Sequence, residues 1–62
     1  MEEFLAYAKA HNAKVSMNGG RCLLEYAGKD NVEWQMVLYE ASLLDGWELS
    51  IEGAWKASIY RA

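Results

Sequence analysis

Residues 13–28, AKVSMNGGRCLLEYAG, alternate in polarity on both sides of Asn18-Gly19-Gly20, and this stretch restricts the possible folds more than any other. Successive side chains of a strand point to opposite faces, and an Asn-Gly-Gly step tolerates the positive φ of a hairpin turn. The spacing predicts a hairpin with Met17 opposite Cys22 and Val15 opposite Leu24. Val15, Met17, Cys22, Leu24 and Tyr26 then share an apolar face. Lys14 meets Glu25 on the other face, a favourable cross-strand charge pair, and Leu23 is left there as an apolar exception.

The pattern returns in residues 47–61, WELSIEGAWKASIYR. With Glu52-Gly53-Ala54 as a three-residue loop, Ile51 faces Trp55, Leu49 faces Ala57 and Trp47 faces Ile59. Ser50 with Lys56, Glu48 with Ser58, and Tyr60 then point outward. Displacing the chain by 34 positions, which carries Gly19 onto Gly53, also carries Ser16 onto Ser50 and Tyr26 onto Tyr60. The two halves share a pattern without demonstrating a duplication.

Each hairpin follows a segment of helical character. Residues 2–11 have acids in the first turn, good helix formers throughout, and Phe4, Leu5, Ala8 and His11 on one side, with Asn12 as a left-handed stop. Before the second hairpin, Asp30 and Glu33 have capping-box spacing, which predicts a helix over 31–44 stopped by Gly46. Val32, Trp34, Met36 and Leu38 also alternate with their neighbours, so a strand over 32–38 competes with that helix. The expected fold is α+β: a two-layer αββαββ sandwich whose four-stranded antiparallel sheet carries both helices on one face. The alternative is αβββ followed by the C-terminal hairpin.

A 62-residue chain forms one small domain and buries only about 60% of the surface its unfolded form exposes. Cys22 is the only cysteine and His11 the only histidine, so neither an internal disulfide nor a zinc site can compensate. Dense apolar packing or self-association must do so, and 53% hydrophobic residues with eight aromatics suit either. No apolar run is long enough for a membrane helix, and two acids stand where a signal peptide carries bases, so a soluble cytoplasmic protein is expected.

Nine acids against six bases, net charge -3, disfavour nucleic-acid duplexes and favour a protein partner with a basic surface. His11 at a helix end, Cys22 on the inward face, NGGR between strands, and Glu33 and Glu40 on a helix face each have an ordinary structural explanation. No catalytic, metal or cofactor site is expected.

On a helical wheel, residues 32–44 carry two apolar stripes: Val32, Met36, Tyr39 and Leu43 on one side, and Trp34, Val37, Leu38, Ala41 and Leu44 on the other. One sheet can cover only one of them. The expected function is a small acidic, non-enzymatic protein-binding module, with Trp34, Leu38, Glu33, Glu40, Tyr60 and Lys56 as partner-binding residues. By analogy with stand-alone phage and mobile-element proteins, such as anti-CRISPR and other anti-defence proteins, one version inhibits a nucleic-acid-handling enzyme. A homodimeric or larger homo-oligomeric structural or regulatory module is the alternative. A small-ligand or single-strand binder using Leu23, Lys56 and Tyr60 is the third reading.

Overall fold

The computed structural model describes residues 1–62, ordered as α1 (Glu2–Ala10), β1 (Ala13–Asn18), β2 (Arg21–Tyr26), α2 (Asn31–Ser42), β3 (Trp47–Gly53) and β4 (Lys56–Arg61). Residues 32–38 are helical, and Asp30 supplies the reason. Its Oδ1 accepts from the backbone N–H groups of Val32 at 2.9 Å and Glu33 at 3.4 Å, two donors that a new helix cannot satisfy internally. At the other end Gly46 adopts φ 81° and leads the chain into β3. Asn12 closes the short link from α1 to β1 at φ 67°, the left-handed stop expected of it.

The strands form one antiparallel sheet in the order β1-β2-β4-β3, which leaves β1 and β3 at the edges. The first hairpin has the expected register, Val15 with Leu24 and Met17 with Cys22, and Lys14 stands across from Glu25. Across the centre, Cys22 pairs with Ile59 and Leu24 with Ala57, so the inward sets of both hairpins merge into one face.

The second hairpin differs from the sequence expectation. Leu49 pairs with Ile59, Ile51 with Ala57 and Trp47 with Arg61, a slip of two residues that keeps Leu49, Ala57 and Ile59 on the core but leaves Ile51 and Trp55, both expected inward, exposed near the turn. The ladder bulges between Ile51 and Gly53, and the chain turns at Ala54-Trp55. Contacts outside the hairpin hold the turn there. Trp34 Nε1 donates to the Ala54 carbonyl at 3.1 Å, Tyr26 N donates to the Trp55 carbonyl at 2.9 Å, and the Trp55 ring stacks on Tyr26. A two-residue slip keeps the alternation intact, so the pattern alone could not exclude it.

Both helices lie on the inward face. Phe4 and Ala8 of α1, and Trp34, Val37 and Ala41 of α2, join Ala13, Cys22, Leu24, Tyr26, Ala57 and Ile59 in a single core. Small side chains at Ala8, Ala41 and Ala57, all buried, allow the helices a close approach to the sheet. Leu24 and Ile59, on the two central strands, are fully enclosed.

Candidate docking surface

Four large side chains of α2 and its C-cap, Leu43, remain in solvent: Val32 is 66% exposed, Met36 45%, Tyr39 63% and Leu43 60%. Their spacing of four, three and four residues sets them in one row along the helix, away from the sheet. At a helical rise the row runs about 16 Å. Beside it α1 contributes Tyr7 and, at its start, Met1, so the row borders a shallow trough between the helices. Glu2, Glu3 and Glu40 line this trough, and no lysine or arginine does. None of these carboxylates is in an ion pair: the molecule's only one joins Lys56 to Glu25 at 3.7 Å, across the sheet. A sizeable apolar row with a charged rim is the usual physical form of an interaction surface on a small protein.

The expected partner-binding residues are distributed differently. Trp34 is only 3% exposed, stacked on Tyr26 at 5.5 Å between ring centroids, and its indole N–H is taken by Ala54. Leu38 packs against the same core. The stripe holding Trp34 and Leu38 therefore faces the sheet, and the apolar stripe of this helix left free is the Val32–Leu43 row, while Met17, Ile51 and Trp55 are exposed elsewhere on the molecule. Both stripes are rich in large apolar groups, so helical periodicity could not choose between them. The signal that could have chosen is Trp34, whose bulk and N–H both favour a buried site with an acceptor.

Glu33 is a strut at the start of α2. Its Oε1 accepts from Asn12 Nδ2 at 3.0 Å and from the Tyr26 hydroxyl at 2.7 Å, and these bonds hold its carboxyl below the ordinary carboxylate range. Of the expected set, only Glu40 lies on the trough. Lys56 and Tyr60 are on the opposite, helix-free face of the sheet. There Arg21 lies 4.4 Å from the Tyr60 ring and donates to the hydroxyl of Ser58, which is fully buried although it points away from the helices. Leu23 is half-buried on that face, opposite Ser16 and Ser58.

The groups capable of chemistry are dispersed. Cys22 is enclosed, and burial pushes its thiol up, away from the reactive thiolate. His11 stacks on Tyr7 at 4.2 Å, and its Nδ1 lies 2.8 Å from the Tyr7 carbonyl. A carbonyl only accepts, so Nδ1 carries the proton of that bond. No three His, Cys, Asp or Glu side chains are grouped to hold a metal, and no helix is long and apolar enough to cross a membrane.

No protein-family model matches the chain, nor does any curated protein or solved structure, so the surface itself carries the functional argument.

Proposed function

We propose that the protein is a non-enzymatic docking module that binds a larger protein through the α1–α2 face. The observation that carries this reading is the row of Val32, Met36, Tyr39 and Leu43, exposed on a helix whose other side already fills the core. Covering it removes apolar surface from water without unfolding anything, the usual driving force of association. The three carboxylates on the trough supply long-range attraction toward a basic partner. Inhibition of a nucleic-acid-handling enzyme is the narrower form of this proposal, because the phosphate-binding surface of such an enzyme is basic.

The test is retention of partners from the source cells by the wild-type protein and by a Met36→Ser/Leu43→Ser variant, with sedimentation of the purified protein alongside. The reading expects a monomer that retains a defined set of proteins and loses them when the row is made polar. Identical retention by both proteins would remove the α1–α2 face from the account. A stable dimer dissociated by the same substitutions would transfer the row to self-association.

A further inference from the structure

The trough also restricts the shape of what can occupy it. Resting on the docking reading above, we infer that the partner presents a basic amphipathic α-helix, seated along α2 with its apolar stripe on the Val32–Leu43 row and its Lys and Arg side chains on Glu2, Glu3 and Glu40.

Three observations support this occupant. Val32, Met36, Tyr39 and Leu43 repeat at the interval at which one helix meets another, and the row spans about three helical turns. Met36 and Leu43 are unbranched or γ-branched, and Tyr39 brings a polar tip, a combination that adapts to side chains laid across it. The carboxylates are on the trough itself, near the Leu43 end of the row and the start of α1, in no ion pair and with no lysine or arginine lining the trough.

The same charges disfavour the other occupants. A second copy laid parallel along α2 would set its three carboxylates against those three, and one laid antiparallel would bring no lysine or arginine of α2 to them. An anionic membrane or a nucleic acid would be repelled in the same way. An added strand would need an open sheet edge, and this face belongs to the helices.

The probes are three labelled synthetic peptides of ~18 residues, long enough to hold helical structure. The first is a leucine–lysine amphipathic helix. The second has the same leucine stripe with glutamate in place of lysine. The third keeps the lysines and has serine in place of leucine. Fluorescence anisotropy measures binding, and amide chemical-shift changes locate it.

The first peptide should bind saturably, with shifts concentrated at Tyr7, Val32, Met36, Tyr39 and Leu43, and the other two at least tenfold more weakly. Met36→Ser/Leu43→Ser should reduce its affinity at least tenfold. Glu2→Gln/Glu3→Gln/Glu40→Gln should weaken it and flatten its dependence on salt. Equal binding of the leucine–lysine and leucine–glutamate peptides on this face would overturn the basic helix and leave the docking reading standing. Binding mapped to Lys14, Leu23 and Lys56, or no saturable binding, overturns the inference. Loss of cellular partners is read separately, so the two proposals can fail independently.

Discussion

The Tyr26 hydroxyl donates to Glu33 Oε1 at 2.7 Å and accepts from the backbone N–H of Asp30 at 3.1 Å. A capping box joins the N3 side chain directly to the N-cap backbone N–H. Here a phenol from the preceding strand is inserted between them, so the first turn of α2 is fastened to β2 by the bonds that cap it. The Tyr26 ring is held between Trp34 and Trp55, each 5.5 Å away between centroids. One side chain thereby joins the second helix, the central sheet and the displaced turn of the second hairpin.

Acid should loosen this fastening. Hydrogen bonds from Asn12 and then Tyr26 lower the Glu33 pKa below its ordinary 4.5. A carboxyl depressed in the folded state contributes stability that is present above its unfolded value and is lost as pH falls through the folded value. Thermal midpoints measured from neutral pH down to about pH 2, spanning the carboxylate range, should fall for the wild type below its unfolded value. Glu33→Gln should lower the neutral midpoint and flatten that acid limb. An unchanged limb would mean that Glu33 adds nothing to acid sensitivity.

Alkali should act on the same pair with the opposite sign. Desolvation, with the bond to Glu33, raises Tyr26 above its ordinary 10.0. The unfolded chain therefore releases the phenolic proton first, and the associated stability is lost as pH rises above that value toward the folded one. Tyr26→Phe should reduce the midpoint at neutral pH and show a shallower alkaline decline than the wild type. Ultraviolet titration of the wild type should show one tyrosine ionising late and with unfolding.

Gly28 is kept small by the same phenol. A Cβ at this position would overlap Tyr26 Oη and Cζ, and the φ of Gly28 lies outside the left-handed region, so the restriction is steric. Gly28→Ala should cost about 1–3 kcal/mol, the usual range for overpacking. The double variant Gly28→Ala/Tyr26→Phe should cost less than the sum of the two single variants, because the clash with Oη is removed. Strict additivity in denaturant melts would show that the two positions do not meet.

The sequence revealed most of this architecture and little of the surface. Alternation about Asn18-Gly19-Gly20 specified the first hairpin because its turn is local, and Asp30 specified α2 because capping is local. The second hairpin slipped by two residues because its turn is held from outside, by Trp34 and Tyr26. The exposed row was visible as one of two stripes on α2, but the choice between them depended on which stripe could seat Trp34 against Tyr26 and Ala54. Glu33 looked like a surface acid for the same reason: its partners, Asn12 and Tyr26, come from other parts of the chain.

Stability measurements should separate the stripes. Met36→Ser/Leu43→Ser should change unfolding free energy by no more than about 0.5 kcal/mol per site, as surface substitutions usually do. Trp34→Ala should cost about 3–5 kcal/mol, from lost burial and an emptied core. At roughly 0.05–0.15 kcal/mol per residue, that loss is a large part of what so short a chain possesses. Comparable losses at both stripes in urea melts would show that the Val32–Leu43 row is packed in solution, contrary to its exposure here.

Cys22 provides a direct reading of how firmly the sheet is closed. The thiol is 1% exposed, and burial raises its pKa, so a thiol reagent has neither access nor thiolate until the structure opens. Cys22 pairs with Ile59 across the two central strands, the part of a sheet expected to open last. Labelling of the native protein should therefore be far slower than labelling in denaturant, and should accelerate in Tyr26→Phe in proportion to its loss of stability. Met36→Ser/Leu43→Ser should label within about fivefold of the wild-type rate, the most that its small stability change allows. Rapid labelling of the wild type would show that β2 and β4 separate locally, without global unfolding.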